Sequence, residues 1–350
     1  MRGTRLFILP MLAALVSSPA PAQTQAQTPS QNANKGPSLS PEQRADAEFL
    51  RALTKSIPLL PVDRIELKVN PPLTLVGYSA AAADKHGNVY VIHRPVDANV
   101  DPIVVLDSKG NFLRSWGKGM YKMPHGIRVD PAGNVWTTDA HTSMIFKFTP
   151  EGKKLLEISV GNIPDASQLF CGATDVTFGM NGHVYVSDGY CNARFIEYTA
   201  DGKKVEEWGK RGTLPLDAFR SRLGSTGPGE FHLPHDISMG PDGILYVADR
   251  ENGRLQWFDK NGKYLSERKF GGKVYSVANS PTGEVYVGTQ PRDVPWGKDA
   301  FIFKFDPKSG KILGKIESAA HQLSVAPDGT LLPGTQAEKT SSVLLLRELK

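Results

Sequence analysis

The sequence predicts an all-β protein: a six-bladed β-propeller with one short helix ahead of it. A glycine-closed turn followed by an apolar strand recurs six times from about residue 75 onward, and self-similarity of that kind marks a repeat architecture. The intervals between the repeat glycines are 46, 49, 61, 40 and 46 residues, close to the roughly 40–50 that one four-stranded blade uses. The 350 residues include 34 Gly and 26 Pro, with 40% hydrophobic and 22% charged residues. That is a turn-rich globular composition, and it excludes collagen, coiled coil and wholesale disorder.

Residues 1–22 read as a secretory signal peptide. Arg2 and Arg5 precede an apolar run from Leu6 to Val16, and the small-residue pattern Ala20-Pro21-Ala22 follows. The run is too short to span a bilayer and no cysteine follows to take a lipid, so cleavage near Ala22 and release into the periplasm or medium are expected, without membrane insertion. Losing Arg2 and Arg5 lowers the formal charge from +5 to +3, and the lysines of Gly152-Lys153-Lys154 and Gly202-Lys203-Lys204 read as solvated turn charges, so no nucleic-acid partner is expected. Residues 23–40, rich in Gln, Thr, Ser and Asn, cannot bury enough apolar surface to order themselves and read as a disordered linker. Residues 41–70 form a helix and a lead-in strand. Ser40 is the N-cap, Pro41 the first helical residue and Gln43 the capping-box partner, with Phe49, Leu50 and Leu53 at helical spacing. Residues 71–350 are the propeller, expected as a monomer.

The repeat turns close on Gly87, Gly133, Gly182, Gly243, Gly283 and Gly329, and the long interval carries a loop insertion around Lys210 to Gly229. Equivalent positions in successive blades lie on one ring about the axis. Eight residues before the glycine, blades two, four and six carry His125, His235 and His321, while the intervening blades carry Ser79, Thr174 and Tyr275. Three imidazoles from alternate blades converge on the channel in the arrangement that holds zinc with a fourth position open; the plainer alternative is that they line a polar channel and bond water. Seven residues after the glycine stand Arg94 in blade one and Arg250 in the opposite blade four, planar forks suited to a carboxylate. Tyr190, one position further on in blade three, supplies a phenol to the same face. Asp139, Asp188 and Asp249 look like repeat-turn residues, and Arg250 could instead pair with a neighbour. Cys171 and Cys191 share a blade of an exported chain, where a disulfide is the expected state, and it would pin the loop bearing Tyr190. The chain has no Gly-x-Ser-x-Gly, no P-loop and no dinucleotide fingerprint in a strand-turn-helix context, which disfavours serine hydrolases and nucleotide enzymes.

The segments Met123-Pro-His125-Gly, Val186-Ser-Asp-Gly-Tyr190-Cys191-Asn-Ala-Arg194, Leu233-Pro-His235-Asp and Val247-Ala-Asp-Arg250-Glu-Asn-Gly-Arg254 resemble the peptidyl-α-hydroxyglycine α-amidating lyases, six-bladed propellers of NHL-type repeats. The resemblance covers roughly residues 75 to 345. It implies a lyase that cleaves the N–C bond of an N-acyl- or peptidyl-α-hydroxyglycine to an amide and glyoxylate. It also implies Zn2+ on His125, His235 and His321, Tyr190 as the base at the reacting hydroxyl with its phenol pKa depressed by nearby cations, and Arg94 and Arg250 on a substrate carboxylate. The family's disulfide between the blade-three turn and the preceding strand falls on Cys171 and Cys191; a second has no counterpart, because Tyr246 and Trp257 stand in its places. Blade six departs from the family's Met-Pro-His-Asp, reading Ala319-Ala320-His321-Gln322. Neutral Gln322 replaces an aspartate that helps hold a structural Ca2+ ion, which puts that ion in doubt, and loss of the methionine opens the pocket wall. Two other readings stand beside this one. A different metal-dependent lyase or hydrolase could occupy the same channel, as the blade-six departures suggest. A non-enzymatic propeller could bind a protein or glycan on its rim, which predicts no bound metal.

Overall fold

Every repeat opens on the same tight turn. The amide of its glycine donates to the carbonyl three residues earlier, as from Gly87 to Asp84 at 3.1 Å and from Gly133 to Asp130 at 2.8 Å. At the six repeat glycines φ lies between 78° and 96°, the left-handed region that side-chain-bearing residues avoid. The turn joins an inner strand to a second, antiparallel strand, for example Pro124–Val129 to Val135–Asp139. The second strands Val89–Ile92, Val135–Asp139 and Leu245–Asp249 are buried along their whole length, since both of their faces meet protein. In blade one, Val89 and Val91 pack toward blade six, while Tyr90 and Ile92 pack toward blade two. Such strands read as continuous apolar runs rather than as alternation. The outermost strands, such as Phe112–Trp116 and Lys204–Trp208, have no fully buried residue.

The computed structural model describes residues 39–161, 168–212 and 227–349. The expected signal peptide, nearly all of the expected linker and the middle of the insertion lie outside those residues. Six four-stranded antiparallel sheets follow one another, and their first strands meet in cyclic order from blade one to blade six and back. Closure comes from the N-terminal side. Val62–Lys68 pairs with Ser342–Glu348 in an antiparallel ladder running from Val62 opposite Glu348 to Lys68 opposite Ser342. The lead-in strand expected ahead of the propeller is therefore the outermost strand of blade six. The described ends of the insertion meet as a short parallel pair, Lys210–Arg211 with Glu230–Phe231.

Helix α1 (Pro41–Ser56) begins as its sequence dictates. The Gln43 amide donates to Ser40 Oγ at 3.3 Å and the Ser40 amide to Gln43 Oε1 at 3.0 Å, a reciprocal capping box with Pro41 at the first position. Leu50 is fully buried among Phe270, Val274, Val287 and Phe303 of blades four and five, whereas Phe49 remains 45% exposed beneath the Lys269 ammonium at 5.6 Å. Tyr246 and Trp257 face each other across neighbouring strands as an aromatic pair.

Candidate metal centre

The inner strands carry a register irregularity at the position that bears the histidine or its equivalent. Pairing skips between Pro124 and Ile127, Ala173 and Asp175, Pro234 and Asp236, and Val274 and Ser276. A β-bulge re-aims the side chain it contains, and here His125, Thr174, His235 and Tyr275 lie at the bulges. The three imidazoles meet at the axis, with ring centroids 5.0 Å (His125–His235), 4.7 Å (His125–His321) and 4.6 Å (His235–His321) apart. All three are buried.

Each ring is held from behind by the blade in between. Nδ1 of His125 donates to the Thr174 carbonyl at 2.7 Å, Nδ1 of His235 to the Tyr275 carbonyl at 2.8 Å, and Nδ1 of His321 to the Ser79 carbonyl at 3.2 Å. A carbonyl can only accept, so Nδ1 carries the proton and each Nε2 offers a lone pair. Burial, with the neighbouring guanidinium and imidazole groups, holds all three well below the ordinary histidine pKa, so they are neutral at pH 7. One ligand atom from each lies within 4.8 Å of the others. Three neutral, oriented imidazoles fit a divalent metal ion.

Tyr190 reaches the same point. Its hydroxyl is 2.9 Å from His125 Nε2 and 3.1 Å from His235 Nε2, and its neighbour Cys191 is bonded to Cys171. The sequence expectation for the Tyr190 phenol is a pKa depressed by the zinc ion and an arginine; the protein groups alone act on it in both directions. Burial raises it, and the pull of Arg250 and Arg94 returns only part of the shift. Arg250 lies with Cζ 5.7 Å from the Tyr190 ring centre and 5.2 Å from that of Tyr275, and its Nε donates to Glu251 at 2.9 Å. The reading of Arg250 as the partner of a neighbour is thus seen in the structure. Arg94 donates from Nε to the Pro124 carbonyl at 3.0 Å and stands over Phe170 at 5.7 Å. Its Nη2 is buried without a hydrogen-bond partner, an orphan donor beside the phenol. Met123, Phe170 and Leu233 pack around Tyr190 as an apolar wall. The turn aspartates act as anticipated: Asp139 Oδ1 accepts the amides of His141 and Thr142 at 2.8 Å each, and Asp249 accepts from Arg254 Nε at 2.9 Å.

Sequence reasoning named Gln322 but missed the ring it belongs to. One residue past the histidine position stand Asp175, Asp236 and Gln322, and Arg128 Nη2 contacts them at 2.6, 2.9 and 3.4 Å. The Arg128 guanidinium stands among these carboxylates where a Ca2+ ion would meet its repulsion, and Gln322 brings no charge, so the cluster does not fit a Ca2+ ion. Gln322 also donates to the His235 carbonyl at 3.0 Å, giving the blade-six departure a structural role. The signal lay in the same register, shifted by one. Tyr275 and Glu251 were likewise overlooked, the first as the non-histidine of blade five and the second as the neighbour of Arg250.

Comparison with known proteins bears on the fold and the family. The NHL repeat model matches residues 121–148 and 231–258, in blades two and four. The chain is 33% identical over 256 residues to the mouse peptidyl-glycine alpha-amidating monooxygenase, covering 67% of this chain and 24% of that protein. It is 32% identical over 235 residues to peptidyl-alpha-hydroxyglycine alpha-amidating lyase 1 of Drosophila melanogaster, covering 58% of this chain and 42% of that one. The chain thus spans between about a quarter and two fifths of the length of these relatives. A streptogramin B lyase structure superposes with a TM-score of 0.55 at 18% identity, covering 82% of this chain and 98% of the other, a likeness of fold. In its repeats and its sequence the chain is thus similar to the NHL-repeat proteins and to proteins named peptidyl-α-hydroxyglycine α-amidating lyases.

Proposed function

We propose that this protein is a lyase that splits an N-acyl- or peptidyl-α-hydroxyglycine into an amide and glyoxylate, with zinc held by His125, His235 and His321. The observation that carries this reading is the Tyr190 hydroxyl at 2.9 and 3.1 Å from two of the three metal-facing nitrogens, where an acid–base group must lie to serve a substrate seated over the imidazoles. The names of the mouse and Drosophila relatives support the substrate class.

In the reaction the carbinol O–H is lost, a C=O bond forms, the C–N bond breaks and the departing nitrogen takes a proton, so no water is consumed. Zinc supplies a Lewis acid there that lowers the pKa of a neighbouring hydroxyl. Tyr190 takes the carbinol proton and returns it to the amide nitrogen. Because burial raises its phenol, its basicity depends on the cations around it, Arg94 and Arg250 among them. The unpartnered Nη2 of Arg94 and the guanidinium of Arg250 hold the substrate carboxylate and orient the scissile bond. Met123, Phe170 and Leu233 keep water from the reacting centre. The disulfide, together with the leader-like N-terminus, supports work in an oxidising compartment such as the periplasm. Glyoxylate release from α-hydroxyhippurate by the zinc-loaded protein, abolished by chelator and restored by zinc, is the expected result; a folded, zinc-loaded protein that releases none contradicts the reading.

A further inference from the structure

Arg250 is anchored by a chain of buried charges that ends on helix α1. Its Nε donates to Glu251 Oε1 at 2.9 Å. The other carboxylate oxygen of Glu251 accepts from Arg292 Nη1 at 2.8 Å, and the Glu251 carbonyl accepts from Arg292 Nη2. Arg292 Nε in turn donates to Asp46 Oδ2 at 2.9 Å. The side chains of Arg292, Glu251 and Asp46 are 2%, 4% and 0% exposed, so solvent screens these links little. Lys273 approaches Glu251 at 3.3 Å and Lys269 approaches Asp46 at 3.3 Å. Four residues from three segments far apart in sequence, the helix, the blade-four turn and the stretch after the blade-five strand Val285–Gln290, thus form one line into the site.

The arrangement suits positioning. A guanidinium on a flexible stem loses side-chain entropy whenever it must hold one geometry. Glu251 meets that cost in advance by fixing Arg250 through its Nε edge, and two bonds from Arg292 fix Glu251. Burial opposes the Glu251 charge, yet Lys273, Arg250 and Arg292 together hold its carboxyl well below the usual range. The anchor is therefore ionised throughout the neutral range.

We propose that Asp46, Arg292 and Glu251 are positioning residues for Arg250, and that helix α1 is thereby a working part of the carboxylate-binding site. This inference rests on the reading of Arg250 as a carboxylate clamp and not on turnover. Titration of the zinc-loaded protein with hippurate and with hippuramide, which lacks the carboxylate, separates the two. Asp46→Asn is expected to weaken hippurate about 3- to 10-fold, as coupling within one hydrogen-bonded network does, with hippuramide unchanged. Asp46→Glu, which keeps the carboxylate, is expected to restore binding to within about 2-fold. Arg292→Lys, which keeps charge but loses the fork, is the second variant should Asp46→Asn not fold, and it predicts the same selective loss. Unchanged hippurate affinity overturns the inference. So does equal weakening of both ligands, the signature of a merely structural role, and so does a wild type that does not bind hippurate. Absence of glyoxylate release by wild type would instead strike the lyase reading, while the hippurate titration still decides this one.

Discussion

Nδ1 of His235 donates to the carbonyl of Tyr275 at 2.8 Å, and the same bond recurs from His125 to Thr174 and from His321 to Ser79. The odd blades thus supply the acceptors and the even blades the imidazoles. The six-fold repeat becomes a three-fold ligand set whose tautomers are fixed by backbone atoms, which no side-chain substitution in the odd blades removes.

Tyr190→Phe removes the hydroxyl and leaves the ring packed on Phe170, whose centroid is 5.0 Å away. Turnover of α-hydroxyhippurate is expected to fall roughly 10²- to 10⁴-fold, the usual worth of a general base, with zinc content and KM nearly unchanged. Steady-state kinetics beside metal analysis check this. Full turnover in the variant removes Tyr190 from its role.

The Cys171–Cys191 bridge closes a loop of sequence separation 20, for which chain entropy predicts about 3 kcal/mol of stability. Cys171→Ser with Cys191→Ser should lower the denaturation midpoint accordingly. It should also lower kcat, because Tyr190 is the residue beside the bridge. Chemical denaturation and kcat measured on one preparation check both.

Arg128 pairs with both Asp175 and Asp236, at 2.6 and 2.9 Å. Arg128→Met leaves two buried carboxylates without their cation and is expected to cost about 3–5 kcal/mol, the scale for breaking a buried ion pair. Added calcium rescuing the wild type against denaturation, with no effect on this variant, would contradict the finding that the guanidinium fills the cation's role.

Glu251 fixes the sign of a pH effect. Its folded pKa is held below the ordinary value against the opposing effect of burial, so it contributes stability above the unfolded pKa of about 4.3. That contribution is lost as pH falls through the folded pKa. The stability gap between wild type and Glu251→Gln is thus expected to be full at pH 7 and to shrink at pH values below about 4. A gap that widens on acidification contradicts the assignment.

The ring of blades and the ring of histidines were both legible in the sequence, because one glycine turn repeats six times and a fixed offset from it is a fixed place around the axis. The offset could not show that His125 and His235 sit at β-bulges, where one extra residue re-aims the side chain. It could not show that Val62–Lys68 closes blade six, since pairing with Ser342–Glu348 joins opposite ends of the chain. Proximity of Tyr190 to the imidazoles and arginines is readable from register, while the depth of its burial is a property of the packed site. Asp46, Arg292 and Glu251 lay beyond reach for the same reason. Nothing local relates residue 46 to residue 292.

The most direct test titrates zinc back into the stripped protein while glyoxylate release is followed on the same sample. The account predicts a rise that breaks at one zinc per chain, with no such rise in His235→Ala. A single tightly bound zinc without turnover, or turnover that survives in His235→Ala, would contradict it.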